Sequence, residues 1–297
     1  MVTAEQLPDW LRRMYPFKTQ TYTTPHGAQM SYVDEGPRSD EAVLMLHGNP
    51  TWSFMYRDLI KDIAPRMRCV VPDHVGMGLS DKPEHYPYRL ANRITDIEGL
   101  VNQLGLWRVH LIIHDWGGAI GCGWAVRRPE RVGKIVILNT AAFRSPHIPT
   151  RIALCRTKRL GTFLVRGLNG FAWPATWMAM SNRRLSVEEK RGFLFPYNSW
   201  ANRVAVNAFI KDIPLDESHP SYRPLLDVEV GLSELSKKQV RLIWGGADFC
   251  FDMRYFMRWQ KIFPHAQHFH MPEAGHYVLD DSAPTANRLT TEFLFSR

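Results

Sequence analysis

The stretch that most constrains this chain is Val109-His110-Leu111-Ile112-Ile113, an apolar run broken only by His110. It passes without a gap into His114-Asp115-Trp116-Gly117-Gly118 and then into a helical segment, Gly117–Arg128. A short apolar run bounded in this way reads as a strand buried on both faces of a parallel sheet. With no loop between strand and helix, the join must be a tight, strained turn that lifts the side chain at its tip above the sheet. That residue is Asp115. Gly117 supplies the small residue such a turn needs two positions later, and Gly118 and Gly121 let the helix lie close to the sheet.

The rest of the sequence supplies the sheet. Gln20–Thr24 and Gln29–Asp34 predict a pair of strands around the turn Pro25-His26-Gly27. Ala42–Leu46, Cys69–Pro72, Lys134–Leu138, Val240–Trp244 and His268–His270 predict further strands. Tyr88–Leu104 and Pro284–Phe295 have helical spacing. This alternation argues for an α/β fold, a mostly parallel sheet flanked by helices. From about Phe143 to Asp227 the alternation stops and the segment reads as several helices. The expected organisation is a core domain from residues 1–142 and 228–297, with a helical cap domain, 143–227, inserted into it.

Asp115 at the tip has two readings: it caps the helix, as a lone Asp before a helix usually does, or it is a nucleophile. Other residues in the right order favour the second. The loop Glu273-Ala274-Gly275-His276-Tyr277 follows the last short strand and offers His276 as a base, and Leu242–Asp248 offers Asp248 as the acid that orients it. Asp252 is the rival acid but reads as the start of the next helix. His47 and His114 flank the turn, and their strand-end positions suggest supporting roles. The order nucleophile, acid, histidine is that of the α/β-hydrolase fold, in which the tip is normally Ser within G-x-S-x-G. Here Ile113 stands where the first Gly would be. A serine needs a base before it can attack a carbonyl. A carboxylate needs none and can displace a leaving group from saturated carbon, forming an ester to Asp115.

The formal charge of +8 raises the question of nucleic acid or anionic membranes. The charge is spread out and no nucleic-acid-binding motif is present, so a basic enzyme is the expectation. Cys69, Cys122, Cys155 and Cys250 are scattered, which predicts buried thiols rather than disulfides or a metal site. No metal or organic cofactor is expected. The segment MVTAEQLPDWLRRMYPF lacks the apolar core of a signal peptide, which predicts a cytoplasmic protein.

The segments HGNPTWSFMYR (47–57), VPDHVGMGLSDKP (71–83), HDWGGAIG (114–121), IWGGADFCFD (243–252) and EAGHYVLDD (273–281) together resemble the haloalkane dehalogenases. The likeness is greatest to their third subfamily, which overlaps the bacterial β-lactone decarboxylases of long-chain olefin synthesis. It covers nearly the whole chain, including the cap segment RTKRLGTFLVRGLNGFAWPA (156–175). In the second subfamily the acid is a Glu 24 residues beyond the nucleophile. That position here is Asn139, whose amide cannot replace a carboxylate, so the acid must come from elsewhere, which supports Asp248.

The resemblance implies a halide site made by the Asn49 amide and the Trp116 indole. Their backbone N–H groups would form an oxyanion hole, each donor contributing roughly 3 kcal/mol to the barrier. The leading expectation is hydrolytic dehalogenation of a small hydrophobic haloalkane, with halide as product. The alternative is β-lactone decarboxylation to an alkene. Epoxide hydrolysis is a third reading and would require two cap tyrosines, for which Tyr197 and Tyr222 are the candidates. A catalytically silent binding module is a fourth, disfavoured because every triad position is filled. The Arg-rich aromatic cap (Arg151, Arg156, Lys158, Arg159 and Arg166 among Phe163, Phe171, Trp173 and Trp177) leaves homo-oligomerisation or peripheral membrane association open.

Overall fold

The structure is a computed structural model that describes residues 6–296. Residues 1–5 and 297 of the expected core domain, including the start of the N-terminal segment, lie outside the described residues.

The sheet contains β1 (Thr19–Thr23), β2 (Gln29–Glu35), β3 (Glu41–Leu46), β4 (Arg68–Pro72), β5 (Arg108–Asp115), β6 (Val132–Thr140), β7 (Val240–Gly245) and β8 (Gln267–Met271). Their spatial order is β1-β2-β4-β3-β5-β6-β7-β8. β2 runs antiparallel to both β1 and β4, and the remaining pairs are parallel. Each expected strand is present. In β5 every residue after Arg108 is buried, as a strand covered by helices on both faces requires. The order places β5 between β3 and β6, with Leu46 opposite Ile113 and Asp115 opposite Thr140. The ends of these central strands therefore meet at one edge of the sheet, where α/β folds carry their sites.

The helix after β5 spans Trp116–Ala125, and every residue beyond Trp116 is buried. It stops short of the expected Arg128 because Pro129 follows two exposed arginines. The next difference is at Leu90–Gln103, expected to begin at Tyr88. Its first N–H, on Leu90, donates to Asp212 Oδ2 at 2.8 Å, and Arg89 Nη1 reaches Asp212 Oδ1 at 3.0 Å. The cap of this helix is thus supplied by a residue far along the chain.

Between β6 and β7 lie the helices Thr150–Arg156, Leu160–Thr162 continuing through Gly167, Ala172–Met178, Val187–Leu194 and Val204–Lys211. They lie over the sheet edge where β5 ends, and all but Val187–Leu194 share the lining of one cavity with Asp115. The expected boundary at residue 227 falls inside the helix Tyr222–Gly231, which packs on Trp116–Ala125 and on Leu90–Gln103. Val228 and Gly231 lie against Gly123 and Val126 of the core.

Two glycines separate steric room from backbone strain. A Cβ on Gly117 would lie 1.9 Å from the Leu46 carbonyl oxygen, which is fixed in the sheet. A Cβ on Gly27 would meet nothing within 4 Å, although its φ of +80° disfavours L side chains. Gly117→Ala is expected to cost about 3 kcal/mol or more, and Gly27→Ala only about 1 kcal/mol. Urea unfolding followed by circular dichroism measures both, and equal losses would contradict this reading.

Candidate active site

Asp115 stands in the left-handed half of backbone space, at φ 52° and ψ −125°. For a residue with a Cβ this costs of order 1–3 kcal/mol and persists only where the surroundings impose it. The surroundings are visible: Thr140 Oγ1 donates to the Asp115 carbonyl, the β5–β6 register shifts between His114 and Asp115, and Gly48 and Gly117 leave no room beside the turn. The Asp115 side chain makes no capping hydrogen bond of the usual kind, to the second or third N–H of its helix. It accepts instead from the Asn49 backbone N–H at 2.6 Å and lies against the Trp116 N–H.

His276 follows β8 on the predicted loop. Its Nε2 lies 3.7 Å from Asp115 Oδ2, and its Nδ1 donates to Asp248 Oδ2 at 2.8 Å. Asp248 also accepts from Asn139 Nδ2 at 2.9 Å and from the Cys250 N–H at 2.6 Å. Asn139 is therefore an orienting neighbour of the acid. Its amide also exchanges two bonds with the Gly245 backbone, at 3.0 and 2.8 Å. Asp252 caps the helix Met253–Ile262 through the Arg254 N–H, as expected of a helix start. The three groups predicted to act together are thus brought together, and the rival acid is not.

All three are buried. Burial works against the imidazolium, but the charges of Asp248 and Asp115, with the Asp248 hydrogen bond, outweigh it and hold the His276 pKa above the usual imidazole value. For Asp115 burial raises the pKa, and His276 with the Asn49 and Trp116 N–H groups opposes it only in part. The Asp115 carboxylate thus accepts the Asn49 N–H, lies against the Trp116 N–H and faces His276 in a buried site. Backbone donors placed in this way can stabilise negative charge on an oxygen.

The neighbouring histidines support the loops, as expected. His114 Nε2 donates to the His276 carbonyl at 2.8 Å. His47 Nδ1 donates to the Gly48 carbonyl at 2.8 Å while its Nε2 accepts the His74 N–H at 3.1 Å, which fixes a neutral tautomer. Burial, first among the causes, brings its pKa down to about 3. Beside it, Asp73 takes the N–H groups of Ser53 and Leu79, and burial pushes its pKa up to about 6. It braces the loop that carries Asn49.

A cavity of about 460 Å³ opens above Asp115, lined by Asn49, Trp116 and His276 at its base and mostly by apolar cap residues, among them Ile152, Leu164, Phe171 and Trp177. Asn49 Nδ2 donates to the Val206 carbonyl at 3.1 Å, so a cap helix orients this amide and uses one of its hydrogens. The Trp116 ring packs on Phe209, 5.3 Å away, which itself lies 3.4 Å from the Arg93 guanidinium. Tyr197 donates to the Thr51 carbonyl and Tyr222 accepts from Arg144. Neither lines the cavity, so the pair that epoxide hydrolysis would need is missing from it.

Sequence reasoning passed over Thr140, which holds the turn, and Asp281. The carboxylate of Asp281 accepts the N–H of Gly275 at 2.6 Å, beside His276, and the N–H groups of Ser181, Asn182 and Arg183 in the cap. The Tyr277 N–H donates to the Ala179 carbonyl at 2.9 Å. The histidine loop and this corner of the cap are thus tied together. The HYVLDD string that contains Asp281 carried no signal of this. Among the described residues no cluster of His, Cys, Asp and Glu could hold a metal ion, and no helix is long and apolar enough to cross a membrane.

The geometry can be compared with known proteins. A model of the alpha/beta hydrolase fold matches residues 41–283. A cis-3-alkyl-4-alkyloxetan-2-one decarboxylase of Shewanella oneidensis is 40% identical over 92% of this chain and 87% of its own. Haloalkane dehalogenase 2 of Mycobacterium tuberculosis is 29% identical over 91% of this chain and 92% of its own. Haloalkane dehalogenase DbeA of Bradyrhizobium elkani superposes with a TM-score of 0.84 at 23% identity, covering 94% of this chain and 97% of that one. At that identity the superposition speaks for the fold alone. The matched model spans most of the chain, from β3 to beyond the histidine loop, and the chain belongs to the α/β-hydrolase fold family.

Proposed function

We propose that this protein is a β-lactone decarboxylase acting on cis-3-alkyl-4-alkyloxetan-2-ones. The observation that carries the proposal is the 40% identity to a decarboxylase of that name over 92% of the chain. The sequence alone ranks dehalogenation first. The lower identity to dehalogenases, 29%, reverses that order. The apolar lining of the cavity suits a substrate with two alkyl chains.

In the proposed reaction the Asp115 carboxylate attacks ring carbon C4. The C4–O bond breaks, leaving an ester between Asp115 and C4 and a free carboxylate on C3. That carboxylate leaves as carbon dioxide, its bonding electrons form the C3–C4 double bond, and the ester C–O bond breaks to return Asp115. Water is neither consumed nor formed. Asn49 and Trp116 would hold the ring oxygen as it acquires charge. His276, held by Asp248, lies beside the Asp115 oxygens as they lose and regain charge.

Dehalogenation is the second reading, supported by the Trp116 indole at the cavity base beside Asn49. There Asp115 would displace halide into that pair. His276 would then take a proton from water attacking the alkyl ester, with the oxyanion at the Asn49 and Trp116 backbone N–H groups.

A competition between a long-chain cis-β-lactone and a bromoalkane, read by mass spectrometry, decides between them. Alkene is expected to dominate, and Asp115→Asn is expected to lower its formation by about 10³-fold or more. Alcohol dominating would make the protein a dehalogenase. With bromoalkane alone, His276→Phe is expected to accumulate the Asp115 ester, seen as added mass on the intact protein. An unlabelled protein that still releases halide would overturn the covalent route.

The two routes also differ in pH dependence. A base must be neutral to accept a proton, and His276 has a raised pKa. Alcohol formation should therefore fall as pH drops through that raised value. Alkene formation needs only the Asp115 anion and should persist to lower pH, until Asp115, itself raised above the usual carboxylate value, is protonated. Superimposable pH profiles for the two products would show that His276 acts as a base in both.

A further inference from the structure

Between Glu130 and Glu188 the sequence contains no acidic residue, yet it carries many of the chain's cations. Several of those cations are held by partners: Arg144 pairs with Glu229, Arg166 with Glu84 and Arg183 with Glu189, while Lys134 and Arg156 donate to backbone carbonyls. Arg151, Lys158 and Arg159 are exposed and have no carboxylate partner among the described residues.

The same segment of the cap exposes large apolar side chains. Leu154, Leu160, Phe163, Leu168, Trp173 and Trp177 are between 47% and 62% exposed. Trp173 and Trp177 stand edge to face with ring centres 6.4 Å apart. Singly exposed apolar residues are ordinary, but six within one short segment, interspersed with unpaired cations, are not. Arg151, Leu154 and Trp177 are exposed and also line the cavity, so the patch reaches its rim. Arg151 Nη1 reaches Met178 Sδ at 3.6 Å across that rim.

We propose that this face of the cap docks on an anionic lipid bilayer, with the cavity mouth turned toward the acyl chains. The apolar side chains would enter the interface. Arg151, Lys158 and Arg159 would meet the lipid phosphates, and indole rings such as those of Trp173 and Trp177 suit the headgroup level. The unbalanced positive charge selects anionic lipid over a neutral surface. It also disfavours a second copy of the chain, which would bring the same cations face to face. The docking gives a water-insoluble substrate a path into the cavity that never crosses bulk water. That purpose rests on the proposed function, but the docking itself is measured without turnover.

The test is flotation of the purified protein with phosphatidylcholine vesicles, with and without about one-third phosphatidylglycerol. The protein is expected to float only with the anionic vesicles, and less so at about 0.5 M salt. Lys158→Glu with Arg159→Glu is expected to weaken binding by about tenfold or more. Phe163→Ser with Trp173→Ser should weaken it as well. None of these four residues lines the cavity, so turnover of a short, soluble lactone or bromoalkane is expected to be unchanged. Thermal melting confirms that each variant is folded if no such turnover is found for any form. Failure to float, equal binding to neutral vesicles, or undiminished binding by the charge-reversed protein would each overturn the proposal. So would an oligomer, seen by sedimentation without vesicles, that the same variants dissociate, since the face would then be covered by another copy.

Discussion

Everything at this site depends on one unfavourable backbone conformation. Asp115 holds φ at 52°, where a Cβ is crowded, because strand, helix and neighbouring loop leave it no other geometry. The Thr140 hydroxyl fixes its carbonyl, and Gly117 lets the helix begin directly over the end of β3. The local cost is of order 1–3 kcal/mol, and it is offset by a sheet whose central strands are buried along nearly their whole length. In return the carboxylate projects from the sheet edge into the cavity, where the Asn49 and Trp116 N–H groups converge on it.

Burial then determines the electrostatics. An isolated carboxylate in such a place would take up a proton, and an isolated imidazole would lose one. Each charge here is balanced by a specific partner. Asp248 receives a ring nitrogen, a side-chain amide and a backbone N–H. Asp115 receives two backbone N–H groups and faces His276. The partners of each group thus oppose the effect of burial on its charged form, which suits chemistry in which the Asp115 oxygens give up and recover negative charge. The Trp116 ring is backed by Phe209 and the Arg93 guanidinium, which places a buried cationic group behind the cavity base.

How much of this could be read in the sequence depended on distance along the chain. The strand-to-helix join, the histidine loop and the acid after β7 each leave a local pattern of apolar run, glycine and functional residue, so Asp115, His276 and Asp248 were legible. Asn49 and Trp116 were singled out only through the family likeness. The fixing of the Asn49 amide by Val206 could not be foreseen, because that partner lies in the cap. Asp212 capping the helix at Leu90, and Asp281 joining Gly275 to residues 181–183, are likewise contacts between segments about a hundred residues apart. Thr140 reads in sequence as one more strand residue. Nor does the sequence around residue 227 show that the helix Tyr222–Gly231, which contains it, packs on Trp116–Ala125 and Leu90–Gln103.

The knot at Asp281 has a consequence for how such a protein can diversify. One carboxylate there joins the loop bearing the imidazole to the cap at residues 181–183, so lengthening or re-angling that corner would drag the imidazole out of line with Asp115. The wall from Ile148 to Trp177, by contrast, touches the cavity without passing through the knot. Descendants of this chain can reshape that wall residue by residue while the reacting groups keep their places. Inheritance of the chemistry and inheritance of the ligand preference are thereby carried by separable parts of one polypeptide.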